Sequence, residues 1–147
     1  MIALIQRVIS ASVRVEKDNV ASIDKGLLVF IGISSEDCDE DINYIVDKVS
    51  NLRVFSNAGG QFDYSLFEIS GSILLVSQFT LMGSTKKGRR PSFQGAMDPI
   101  NASSLYSRLV NKFAETGLDV HSGKFQAHME VSLVNDGPVT IIIDSKK

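Results

Sequence analysis

Cysteine is almost missing from this chain of 147 residues: Cys38 is the only one. A lone thiol excludes an internal disulfide framework and a zinc site built from several cysteines. Excess positive charge is also lacking, with 15 Lys and Arg against 17 Asp and Glu and a formal net charge of −2. A nucleic-acid partner would therefore have to be met by a local patch and not by the whole surface. No apolar run approaches the ~18 residues that a membrane span needs. The opening MIALIQRV has no basic region ahead of an apolar stretch, so no signal peptide is expected. Low-complexity tracts, repeats and a dividing linker are absent. So are a Gly-x-Ser-x-Gly elbow, a P-loop and a dinucleotide fingerprint. The expectation is one domain over residues 1–147, cytoplasmic, working without a cofactor.

The charges that are present are segregated. Residues 36–41 read EDCDED and residues 86–90 read KKGRR. The acidic run should raise the Cys38 thiol and make it a poor nucleophile. His121 and His128 have no Cys or Glu pairs at ligand spacing, so no metal site is expected. An enzyme with these absences would work without a charged side-chain base, on a substrate that is already activated.

Hydrophobic patterning predicts the elements. Residues 2–15 and 20–33 are rich in Ile, Val and Leu and read as antiparallel strands, with a turn at Lys17-Asp18-Asn19 and a second run opening at Gly26. Ile42, Ile45, Val46, Val49 and Leu52 recur at helical spacing over 39–52, with Asp37 or Asp39 as candidate caps. Asn57 to Gly60 reads as a turn, and residues 72–81 as a buried strand. Asp98-Pro99 should open a second helix that buries Ala102, Leu105, Tyr106, Leu109 and Phe113 and ends at Gly117. The last third reads as two strands around Asn135-Asp136-Gly137-Pro138. This order predicts an α/β domain with mostly antiparallel pairing, since the alternation of a doubly wound fold is missing.

Two segments invite a functional reading. Ser77-Gln78-Phe79-Thr80 places polar groups at the end of an apolar run. They either bond to backbone at a strand end or gather hydroxyls, an amide and main-chain N–H groups around a carbonyl oxygen that gains charge. Asn135 to Thr140, NDGPVT, is either a turn or bare main chain presented to a ligand.

The same segments resemble the paired signatures of the D-aminoacyl-tRNA deacylases, SQFTL at 77–81 and NDGPVT at 135–140. The likeness extends through IQRV at 5–8, ASV at 11–13, GLLVFIGI at 26–33, KKGRRPSF at 86–93 and VSLVNDGPVT at 131–140, and so spans essentially the whole chain. It implies a barrel-like core with two main helices packed outside. It implies a hydrolase that cleaves the ester between a D-amino acid and the 3′ end of tRNA and also removes mischarged glycine, a proofreading activity. It implies a homodimer with active sites at the interface, where a cis Gly-Pro pair, matched by Gly137 and Pro138, enters the partner's pocket. Ser77, Gln78, Phe79 and Thr80 match the catalytic wall, with Thr80 read here as a positioning residue more than a nucleophile. Arg7 matches a residue that holds the Gly-Pro loop. Phe125, Ala127 and Met129 match a Gly-x-Phe-Gly-Ala-x-Met stretch in which Gln126 replaces the second glycine. Residues 61–66 also depart from the family pattern, which often has a Met-Asn-Leu-like stretch there. Lys86, Lys87, Arg89 and Arg90 are candidate contacts for tRNA phosphates, or simply a solvated loop. The competing readings are a paralogous deacylase of mischarged L-amino acids and a non-catalytic nucleic-acid-binding module.

Overall fold

The computed structural model describes residues 1–147. Strand β1 runs over Ile2–Val15, turns at Glu16 and Lys17, and returns as β2 (Asp18–Ile23). A second reversal at Asp24 and Lys25 leads into β3 (Gly26–Gly32). The stretch 20–33 is therefore two strands, divided at the polar Asp24-Lys25 pair just before Gly26, where the second run was expected to open.

β1 pairs antiparallel with β3 through Ile2 to Val8 and with β2 through Ala11 to Val15. Its other edge carries β8 (Glu130–Asp144), also antiparallel. β3 pairs in parallel with β6 (Ser72–Ser77), and β6 in parallel with β7 (Asp119–Ser122). The pairing is thus antiparallel around β1 and parallel on the far side. A small hairpin, β4 (Phe55–Ser56) and β5 (Phe62–Tyr64), stands apart, joined by the expected turn at Asn57 to Gly60.

Both faces of β3 and β6 are buried, which explains their continuous apolar sequences. Leu27, Val29, Ile31, Ile73 and Leu75 face a core shared with α1 (Asp39–Ser50) and α3 (Pro99–Ala114). Leu28, Leu74 and Val76 face the other way, onto Val8, Ala11, Val13 and Ile23, with Val131 and Leu133 of β8 beside them. The sheet therefore wraps around a second core and approaches a closed barrel, with the helices outside.

Helix α3 matches its sequence signals closely. Asp98 caps it by accepting from the Ile100 and Asn101 N–H groups, Pro99 stands in its first turn, and all five predicted core residues are buried. It ends at Ala114 with Glu115 as C-cap, three residues short of Gly117. The cap of α1 is Cys38, not Asp37 or Asp39. Its main-chain N–H and thiol both meet the Asp41 carboxylate, at 2.9 Å and 3.3 Å. Asp37 is engaged elsewhere, taking the Met1 ammonium at 2.6 Å and the Ser34 N–H at 2.7 Å. Leu52 lies beyond the end of α1.

Two further expectations are corrected. The strand predicted over 72–81 stops at Ser77, and Phe79–Met82 forms a 3₁₀ turn. The last third is not two strands about a reversal. β8 continues as one strand whose residues 136–139 form a bulge and not a reversal, and a separate short strand, β7, precedes it.

Candidate functional site

The end of β6 opens onto a cleft of about 610 Å³. Ser77, Gln78 and Phe79 line one side, where the chain leaves the parallel β3–β6 pair. The Gln78 N–H donates to the Ile31 carbonyl at 2.7 Å, which ties the exit of β6 to β3. Phe79 packs edge-on against Phe93, with ring centroids 5.1 Å apart, and both line the cleft. Thr80 lies on the exposed 3₁₀ turn at its margin, and the Gln78 side-chain amide donates to its hydroxyl.

The facing wall is the segment Phe125 to Met129, so all three of the matched residues Phe125, Ala127 and Met129 border the cleft. Phe125 rests on Tyr106 of α3 at a centroid distance of 5.6 Å. Burial pushes the Tyr106 hydroxyl up to about 12, against a lowering hydrogen bond with Ser122, so the wall behind Phe125 stays uncharged. Gln126 and His128 also line the cleft. Gln126 stands in the left-handed region, at φ +62°.

Met97, Asp98, Pro99 and Ala102, at the start of α3, supply a third side; sequence reasoning gave Asp98-Pro99 only the start of the helix, Ala102 only its buried face, and Met97 no role. The double role of Asp98-Pro99 has no one-dimensional signal. Main-chain and side-chain hydrogen bonds from Asn101 hold the Asp98 carboxyl below the usual carboxylate range. It is an anion at the cleft and not a proton donor at neutral pH.

The second signature lies elsewhere in the chain. Gln6 pairs with Thr140 and Val8 with Asn135, so Asp136 to Val139 bulge out of β8 opposite Arg7 alone. The bulge is fastened from within by Asn135, whose side-chain carbonyl accepts the Val139 N–H at 2.9 Å. Arg7 is buried beneath it and donates from Nε to the Asp136 carbonyl at 3.2 Å. The Asp136 carboxylate lies 3.1 Å from the same nitrogen. Nη1 of Arg7 donates to the Val54 carbonyl. Gly137, at φ +126°, and Pro138 are exposed, and the peptide between them is cis. Neither residue lines the cleft of its own chain.

Lys86, Lys87, Arg89 and Arg90 are all exposed on a loop closed by the Ser84–Ser92 bridge, just beyond Thr80. The neighbouring Glu40 and Asp41 carboxylates raise the Cys38 thiol, as the acidic run predicted. His121 pairs with Asp119 of β7 at 3.1 Å, apart from His128 at the cleft. No three His, Cys, Asp or Glu side chains are grouped so as to hold a metal ion. No helix is long and apolar enough to cross a membrane.

Comparison with known proteins follows the same outline. A family model described as D-Tyr-tRNA(Tyr) deacylase matches residues 4–144. A D-aminoacyl-tRNA deacylase of Thermotoga petrophila is 50% identical over 147 residues, covering 100% of this chain and 99% of the relative. One from Halothermothrix orenii is 51% identical with the same coverage. A solved structure described as c-Myc DNA Unwinding Element Binding Protein superposes with a TM-score of 0.92 at 38% identity, covering 98% of both chains. Another, described as a probable eukaryotic D-amino acid tRNA deacylase, gives 0.85 at 20% identity over 97% of both chains, a likeness of fold.

Proposed function

The chain belongs to the D-Tyr-tRNA(Tyr) deacylase family, and from that premise we propose how its two signature segments divide the work. The protein is a D-aminoacyl-tRNA deacylase, a hydrolase of the ester that joins a D-amino acid to tRNA. The aminoacyl end sits in the cleft between Ser77-Gln78-Phe79 and Phe125 to Met129. Water adds to the ester carbonyl carbon, and the oxygen that takes up negative charge is met by main-chain N–H groups where β6 turns at Phe79 and Thr80. The carbon–oxygen bond to the ribose then breaks, and the ribose oxygen takes a proton. An aminoacyl ester is activated, so positioning of the water and of the oxyanion supplies the needed acceleration without a histidine base. Thr80 positions substrate through its hydroxyl.

The observation that carries this reading is the separation of Gly137 and Pro138 from their own cleft. They stand exposed on a bulge anchored from beneath by Arg7, on its outer side and away from the cleft of their own chain. β8 leaves one edge unpaired over its length, and Val134 and Ile142 on it are 52% and 64% exposed. A second copy of the chain covers this surface, and its bulge enters the first copy's cleft. The filter then works by collision. A side chain on the L face of the α-carbon meets stiff main chain, while a D side chain points away. Glycine has nothing to collide and passes. The basic loop 86–90 rests on phosphates near the acceptor end.

Incubation with D-Tyr-tRNA and L-Tyr-tRNA tests this. Loss of the D ester alone supports the reading. Loss of the L ester identifies a paralogous L-specific deacylase. Binding without loss of either ester supports a nucleic-acid module, a second reading favoured by the described DNA-element binding of the neighbour with a TM-score of 0.92.

A further inference from the structure

We propose that Phe62 is a positioning residue for stereochemical discrimination, because it closes the cage in which Arg7 holds the Gly137–Pro138 bulge. The inference rests on the role proposed above for that bulge.

Arg7 is surrounded on its edges and covered on one face. Nε faces the carbonyl and carboxylate of Asp136, at 3.2 Å and 3.1 Å. Nη1 is taken by the Val54 carbonyl. Nη2 lies beside Gly137, 2.9 Å from where a Cβ on that residue would stand. The remaining contact is to the Phe62 ring, whose centroid is 5.4 Å from the guanidinium carbon. That is within the reach of a cation–π contact.

Phe62 is otherwise hard to account for. It is 56% exposed, belongs to neither apolar core, and stands on the small β4–β5 hairpin away from the main sheet. The hairpin is itself braced: Arg53 donates to the Asp63 carbonyl at 2.6 Å, and Asn57 Nδ2 donates to the Asp63 carboxylate at 3.3 Å. Val54, just before β4, and Phe62, at the start of β5, both contact Arg7. The Asp136 carboxylate is 38% exposed, so its pull on Arg7 is screened by water and does not fix the guanidinium alone. The Asp136 and Val54 carbonyls hold its edges, and the aromatic cover completes the restraint on its face. If the bulge discriminates by stiffness, stiffness must reach it through Arg7, and Phe62 sets how far Arg7 can swing.

The test compares Phe62→Ala, Phe62→Leu and Phe62→Tyr with the parent protein. Rates of loss of D-Tyr-tRNA and L-Tyr-tRNA are measured beside the hydrogen exchange of the Arg7 Nε–H by NMR and the assembly state in solution. The expected result for the Ala and Leu variants is an L-ester rate raised at least about tenfold, a D-ester rate within about threefold of the parent, and faster Nε–H exchange. Phe62→Tyr, which restores an aromatic face, is expected to restore both selectivity and protection. An unchanged D-to-L ratio in Phe62→Ala overturns the proposal. So does Phe62→Leu that discriminates as well as Phe62→Tyr, or a loss of selectivity that comes with dissociation into single chains. A parent protein with no D preference removes the underlying reading and this inference with it. A selective parent and an equally selective Phe62→Ala remove this inference alone.

Discussion

Arg7 and Asp136 face each other across the β1–β8 pairing, and the Nε of Arg7 holds the main-chain carbonyl of Asp136 at 3.2 Å. A residue of the first strand thereby fixes a bulge 129 positions further along the chain. The bond fastens the Asn135–Thr140 segment to β1.

Arg7→Lys tests that fastening. A lysine can fill the volume but cannot serve Asp136 and Val54 together from a planar fork. Leaving a buried carbonyl without its donor costs about 1–3 kcal/mol. The expected outcome is a lower melting temperature together with weakened rejection of L-Tyr-tRNA. A variant with the parent's melting temperature and selectivity would refute the anchoring role.

Gly26→Ala probes the parallel contact that positions the cleft wall. A Cβ at Gly26 would stand 1.9 Å from the Ser72 carbonyl oxygen, which is backbone and paired in the β3–β6 ladder. The strands would have to separate. Destabilisation on the order of 4 kcal/mol or more is expected, seen as loss of soluble, cooperatively melting protein. Wild-type stability of this variant would contradict the β3–β6 register.

Acid should weaken the fold through Asp41. Burial raises its carboxyl, but hydrogen bonds from Ser145, Lys146 and Cys38 outweigh that and hold it well below its unfolded value. Its contribution is therefore fully present above the unfolded carboxylate range, near pH 4, and is lost as pH falls below it. Chemical denaturation across the acid range should show stability falling from about pH 5 downward, with a shallower fall in Asp41→Asn. Identical slopes for both proteins would argue against this source.

Arg89→Ala combined with Arg90→Ala should weaken tRNA binding and flatten its dependence on salt. Each lost phosphate contact removes roughly 0.7–0.9 from the slope of log affinity against log salt concentration. Filter binding at several salt concentrations measures this. An unchanged slope would return the loop to the role of a solvated surface.

The linear order of residues determined a good deal by itself. The α3 cap and buried face were legible because capping and helical periodicity are local. The apolar run of β6 announced a buried strand, that of β3 a strand beside β1, and the resemblance singled out the two segments on which the proposed function rests. What tertiary structure alone decided lies in pairing across distance. Pro138 suggested a reversal, yet β8 runs through it, because Arg7 and Asn135 absorb the extra residues as a bulge. Cys38 displaced two better capping residues: Asp37 takes the Met1 ammonium and Asp39 pairs with Arg108 of α3. The α3 entry became a cleft wall only through its packing beside Phe93 and Phe125. Local propensity is written in neighbouring residues. Which backbone groups remain unpaired, and which side chain reaches them, depends on contacts between segments far apart in the chain, and those exist only once the sheet has closed.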